Sequence, residues 1–171
     1  FDASAAEKMP GVKKVVQVEN AVAVIADTWW RAKTALEAVK FEYDPGEHGK
    51  LDSAAIAATL KAGLDAPEAF VGNKQGDAAA AIKGAAKTIE AVYSVPYQHH
   101  ATMEPMNATA KWTPERCEVW TPTQNGEAAL AATAEAAGLP PAQCEVYKIH
   151  LGGGFGRRGA VHDWVRQAVA I

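Results

Sequence analysis

The spacing of apolar and polar residues along this chain changes period several times, and each change marks an element. Val12–Val18 and Ala21–Ala26 are β-rich runs joined at Glu19-Asn20, which predicts a hairpin. The second run is apolar on both faces and is expected to be buried. From Thr28 to Lys40 the period becomes helical, with Trp29, Ala32, Leu36 and Val39 on one stripe and Asp27 or Thr28 as N-cap. Ser4–Lys8 reads as a helix before the Met9-Pro10-Gly11 turn, and Phe41–Tyr43 as a short strand stopped by Asp44-Pro45-Gly46.

Residues 45–86 have a different character. Asp52–Ala62 reads as a modest helix, Gly63–Asp77 as irregular, and alanine-rich Ala78–Ala86 as another short helix. This stretch is expected to connect two units. The second unit opens at Lys87, where Ile89, Ala91, Tyr93 and Val95 alternate with polar residues as in a half-buried strand. Asn107–Trp112 and Cys117–Thr121 form a second expected hairpin over Thr113-Pro114-Glu115-Arg116. Gly126–Ala137 is a helix closed by Gly138 and Pro140-Pro141. A strand over 143–151, a glycine-rich loop and a helix over Ala160–Ile171 complete the chain. In such an α/β order, the loops at 122–126 and 152–159 leave the C-terminal ends of successive strands. If those strands are parallel neighbours, both loops line one crevice.

Composition narrows the partners. The 171 residues are 49% hydrophobic and 22% charged, ordinary for a globular chain with a substantial core. A net charge of −3 gives no bulk case for nucleic acid. No apolar run approaches the ~20 residues that span a bilayer. Cys117 and Cys144 are expected to be buried thiols. The final helix shows no stop signal and the chain opens without Met, so we read it as part of a longer polypeptide.

Candidate chemistry gathers in three motifs. In Leu151–Gly159, LGGGFGRRG, the glycines Gly152, Gly153, Gly154 and Gly156 let backbone amides approach a ligand. Arg157 and Arg158 add planar donors suited to phosphate or carboxylate. The loop formally matches GxGxxG, but the acidic residue that a dinucleotide site needs ~20 positions later is not reached. A tight turn with surface arginines is the plainer alternative. In Thr121-Pro122-Thr123-Gln124-Asn125, Thr123 suits a helix N-cap, which leaves the Gln124 amide unexplained. In Gln98–Pro105, His99, His100 and Glu104 suggest metal at first sight. Pro96 and Pro105 bracket that segment and adjacent histidines diverge, so no metal site is expected there and a polar lining or packed corner is the default. The five tryptophans read as core and rim aromatics.

Taken in order, QxHxxME (98–104), TPTQN (121–125) and GGGFGRR (152–158) resemble the molybdopterin-binding large subunit of the xanthine dehydrogenase/aldehyde oxidase superfamily. The double arginine and the HHATMEP run look most like the isoquinoline 1-oxidoreductase β-subunit and related aldehyde dehydrogenases. MPGV followed by AVAVIADTWWRAKTALEAVKFEYD is similar to the a/b-hammerhead domain of that family. The resemblance implies an α+β fold with an a/b-hammerhead-like unit over 1–44, a connector over 45–86, and the first α/β part of a molybdopterin-binding domain over 87–171. It also implies cofactor contacts from Gln124, Gly153, Gly154, Phe155, Gly156 and Arg157. The Gln124 amide matches the family glutamine that hydrogen-bonds an oxo ligand of molybdenum, and Phe155 with its glycines matches the loop against metal and pterin.

Family enzymes hydroxylate an aldehyde or N-heterocycle with water as oxygen source, a glutamate acting as base. They work with an iron–sulfur subunit, and in this branch a twin-arginine signal and a periplasmic location are common, with a cytoplasmic location the alternative. Gly159 stands where xanthine dehydrogenases carry a substrate-binding Glu, so purine recognition is not expected. The base glutamate and the other cofactor loops lie beyond this stretch of the family pattern. The chain by itself is therefore expected to hold no catalytic residue and no bound cofactor. A binding or assembly module that grips an anion with the glycine loop is the competing reading, and a nucleotide-binding enzyme the third.

Overall fold

The computed structural model describes residues 1–19 and 21–171. Asn20, half of the first expected turn, lies outside the described residues. In chain order the elements are β1 (Val12–Val18), β2 (Ala21–Ala26), α1 (Trp29–Glu37), α2 (Ser53–Gly63), α3 (Ala78–Lys83), β3 (Thr109–Trp112), β4 (Cys117–Pro122), α4 (Gly126–Ala137), β5 (Cys144–Ile149) and α5 (Asp163–Ala170). The fold is α+β. Packing divides the chain into two compact units, Phe1–Phe41 with Tyr97–Ile171, and Glu42–Pro96.

In the first unit β1 and β2 pair antiparallel, from Val12 opposite Ala26 to Val18 opposite Ala21, with an irregularity between Val12 and Lys14. Thr28 caps α1 by accepting the Arg31 N–H. Ala6, Ala35 and Val39 form the small core beneath this hairpin. Several expectations fail here. β2 is half-buried rather than buried, and of the expected stripe only Val39, just past the end of α1, is buried, beside Ala35, which the stripe did not include. Trp29 and Trp30 are 72% and 66% exposed because α1 turns its small residues to the hairpin, where close packing needs them. Phe41–Tyr43 is no strand. Lys40, just before it, exchanges backbone hydrogen bonds with Asp2 at 2.9 and 3.0 Å. The expected helix at Ser4–Lys8 is a single 3₁₀ turn, Ala6–Lys8.

The second sheet has the order β3-β4-β5. β3 and β4 form the expected hairpin, with Trp112 opposite Cys117. β4 and β5 are parallel neighbours, joined through α4, and Cys117 faces Cys144 in register. Both cysteines are free and buried. Burial pushes each thiol's pKa up, so they behave as small apolar groups. They pack with Val119, Ala132, Ala134, Trp164 and Val165. Gly138 ends α4 in the left-handed conformation, at φ 66°, as the sequence predicts.

The strand expected over Lys87–Val95 is not formed. Ile89, Val92, Tyr93 and Val95 are all at least 79% exposed. Alternation alone does not make a strand. The ladder hydrogen bonds need a partner, and no strand among the described residues supplies one. Within Glu42–Pro96 only Ile56 is even half-buried.

Candidate functional site

The parallel pairing of β4 and β5 brings the two loops that leave their C-terminal ends together. Pro122 opposite Ile149 is the last pair of the register. Just beyond it, the Gln124 N–H donates to the Arg158 carbonyl at 3.1 Å. The Gly156 N–H donates to Gln124 Oε1 at 3.0 Å. A Cβ on Gly154 would lie 2.6 Å from the Gln124 side-chain amide, so only glycine admits this contact. The expected meeting of the TPTQN and GGGFGRR loops is thus direct hydrogen bonding.

The Gly156 bond also orients the Gln124 amide. An N–H can be received only by the amide oxygen, so the Nε2 amino group is left as donor. Among the described residues that amino group has no protein partner, and neither do the backbone N–H groups of Gly153, Gly154 and Phe155. Phe155 holds φ at 49°, a conformation a bulky residue rarely adopts, and is 71% exposed. The loop therefore presents an aromatic ring and unspent amides together.

The arginines do not take the role expected of free cations. Arg158 is fully buried. Its Nε donates to the Gly153 carbonyl at 3.0 Å, Nη1 to Pro122 at 3.3 Å, and Nη2 to Glu104 and Pro105 carbonyls at 2.9 and 3.3 Å. Nη2 also pairs with Glu104 Oε2 at 2.9 Å. The same carboxylate oxygen accepts the Gly152 N–H at 2.9 Å. That hydrogen bond, ahead of the nearby guanidinium, holds the Glu104 pKa below the ordinary carboxylate value. Arg157 pairs with Asp163 at 2.9 Å and lies 5.4 Å from the Trp164 ring centroid. One of its amino groups, Nη1, is buried with no hydrogen-bond partner.

Thr123 is not the cap of α4. Asn125 is, accepting the Ala128 N–H at 3.1 Å. Thr123 is buried instead, its hydroxyl 2.8 Å from His162 Nε2 and 3.2 Å from the Arg158 carbonyl. Sequence reasoning missed Arg158, Glu104 and His162 as structural members of this site. The one signal was an acid and a base in two glycine- or proline-bounded corners, and their separation of 54 positions hides the pairing. His99 and His100 are exposed. Among the described residues no group of three His, Cys, Asp or Glu side chains is placed to hold a metal ion, and no helix is long and apolar enough to cross a membrane.

The chain is similar to several known proteins. The chain is 27% identical over 184 aligned positions to the aldehyde oxidoreductase molybdenum-binding subunit PaoC of Escherichia coli (strain K12), covering 91% of this chain and 24% of that protein. It is 29% identical over 160 positions to a nicotinate dehydrogenase subunit of Pseudomonas putida, covering 93% of this chain and 13% of the other. The chain thus spans no more than about a quarter of the length of these relatives. The crystal structure of quinoline 2-oxidoreductase from Pseudomonas putida 86 shares the fold, with a TM-score of 0.62 at 21% identity over 92% of this chain and 25% of that one. Residues 64–171, which include both loops, match the molybdopterin cofactor-binding domain. The chain belongs to the molybdopterin cofactor-binding domain family.

Proposed function

We propose that this chain supplies the Gln124 loop and the glycine loop of a molybdenum cofactor site, in an oxidoreductase that acts on an aldehyde or N-heterocycle with water as the oxygen source. The observation that carries the reading is the Gln124 amide, turned by Gly156 so that its amino group is a free donor. The residues fit the group. A cofactor rich in acceptor oxygens needs N–H donors on backbone that can come close, and Gln124 Nε2 with the amides of Gly153, Gly154 and Phe155 provides them. When bound, the cofactor supplies the two-electron oxidation of the substrate carbon.

Gln124, Gly153, Gly154, Phe155 and Gly156 would hold it. Arg157 would shape the loop through Asp163 and Trp164. The loop donors are neutral amides, fixed before any ligand arrives, so they stabilise charge without reorganising. The Phe155 ring would exclude water on its side of the site. The competing reading, a binding or assembly module that grips an anion with the glycine loop, would have to do so without free arginines, since Arg157 pairs with Asp163 and Arg158 with Glu104. The division into 1–44, 45–86 and 87–171, an iron–sulfur partner and a periplasmic location belong to the same proposal.

The test uses the complete protein. Gln124→Ala should lower aldehyde or N-heterocycle turnover about ten- to hundredfold, the effect of about 1–3 kcal/mol for one polar contact in a dry site. Gly154→Val should lose molybdenum and pterin as well, because its side chain would displace Gln124. Full molybdenum content and full turnover in Gly154→Val would sink the assignment of this loop.

A further inference from the structure

We propose that Arg158 and Glu104 are the positioning pair of the cofactor loop: the buried fork and its carboxylate select the one loop conformation in which Gln124 and the free amides are presented together. The inference rests on the loop being the cofactor loop, but it concerns how this chain sets that loop.

The glycines cannot do this alone. Gly152, Gly153, Gly154 and Gly156 make the left-handed turns and close approaches possible, yet each also opens many other conformations. Phe155 sits in a strained backbone region that persists only where surroundings enforce it. The enforcing contacts are on both sides of that residue. Arg158 Nε holds the Gly153 carbonyl two residues before Phe155, while the Arg158 carbonyl receives the Gln124 N–H. Nη1 holds Pro122, two residues before Gln124. Nη2 holds the corner at Glu104 and Pro105. One planar group thus joins the 102–105 corner, the Gln124 loop and the glycine loop.

Glu104 completes the arrangement from the other end. Its carboxylate accepts the Gly152 N–H, and its own N–H donates to the Gly152 carbonyl at 3.2 Å. The start of the glycine loop is therefore clamped on both backbone groups. Thr102 donates to the Glu104 carbonyl at 2.5 Å, fixing the corner itself. This gives the HHATMEP segment a task that needs neither histidine. Lysine at 158 would keep the charge but not a rigid fork that reaches several carbonyls at once.

The experiment uses the complete protein, purified with and without cofactor, carrying Arg158→Lys, Glu104→Ala or Glu104→Gln. In the cofactor-free protein, hydrogen exchange is followed for peptides covering 150–160 and, as internal reference, 126–137, together with the melting temperature. In the loaded protein, molybdenum and pterin content and the Mo(V) electron paramagnetic resonance spectrum are measured. Arg158→Lys and Glu104→Ala should speed loop exchange about tenfold or more while leaving 126–137 unchanged, the mark of local opening. Both should shift the Mo(V) spectrum or lower cofactor content. Glu104→Gln, which still accepts the Gly152 N–H, should fall between them and the parent.

Unchanged loop exchange in both variants would overturn the proposal. So would equal acceleration in loop and reference with a lowered melting temperature, since the pair would then only stabilise the fold. If Arg158→Lys fails to fold, the two Glu104 variants decide. Gly154→Val measured alongside keeps the questions apart. Cofactor retention in that variant removes the cofactor reading, whereas the exchange data judge the positioning pair by themselves.

Discussion

His162 shows how a buried titratable residue couples this site to pH. Its ring is buried and Nε2 meets the Thr123 hydroxyl. Burial, with a lesser push from Arg166, lowers its pKa below the ordinary value of 6.5. Between the folded and unfolded values the unfolded chain binds more protons than the native one, so stability rises with pH in that window. The contribution is complete above the unfolded value and is lost as pH falls through the folded one. Melting temperature should therefore drop from pH 7.5 to pH 5.5, and His162→Gln should flatten that drop. An identical pH slope in both proteins would show that His162 is not responsible. At this scale the sequence was only partly legible. Gln124 and the glycines could be picked out because local spacing shows a loop after a strand. Arg158 could not, since an arginine beside four glycines looks like surface charge until Glu104 and three other carbonyls enclose it.

The elements that position the site are tied together by a few buried polar contacts. Trp164 of α5 donates its indole N–H to Thr121 Oγ1 of β4 at 2.8 Å, and the Thr121 hydroxyl donates to the Asn107 carbonyl at 3.2 Å, just before β3. Thr121→Val keeps the volume but leaves the indole donor and that carbonyl unpaired in a buried place. It should cost about 1–3 kcal/mol, read as a lower denaturation midpoint with an unchanged slope. A change within about 0.5 kcal/mol would place water at those groups instead. Elements whose pairing is local were legible: the β3–β4 hairpin, α4 with its Gly138 stop, and the parallel step from β4 to β5. Elements that depend on a distant partner were not. Lys87–Val95 has the period of a strand and no neighbour to pair with among the described residues, and Trp29 has the spacing of a core residue on a helix whose alanine face packs instead.

At the scale of the whole molecule the contrast lies between the two compact units. Among the described residues, Phe1–Phe41 with Tyr97–Ile171 contains all of the buried hydrophobic side chains, whereas Glu42–Pro96 contains none. Leu51, Leu60, Leu64, Phe70, Val71 and Ile82 are apolar yet mostly exposed, so they gain little of the transfer free energy that offsets chain entropy. The helices there have 11 and six residues, below the roughly 12–15 at which isolated helices become even marginal in water. Their Asp52 and Asp77 caps contribute about 0.5–2 kcal/mol each, too little to hold a segment without a core. Local opening should thus cost least in this unit. Limited trypsin digestion of the 171-residue chain should cut first at Lys50, Lys61, Lys74, Lys83 or Lys87. Lys111 in β3, Lys148 in β5 and buried Arg158 should survive until the unit that carries them unfolds. Mass spectrometry of the earliest products decides between the two. First cuts at Lys111 or Lys148 would mean that the exposed apolar residues of 42–96 are covered in solution and that stability is spread evenly over both units.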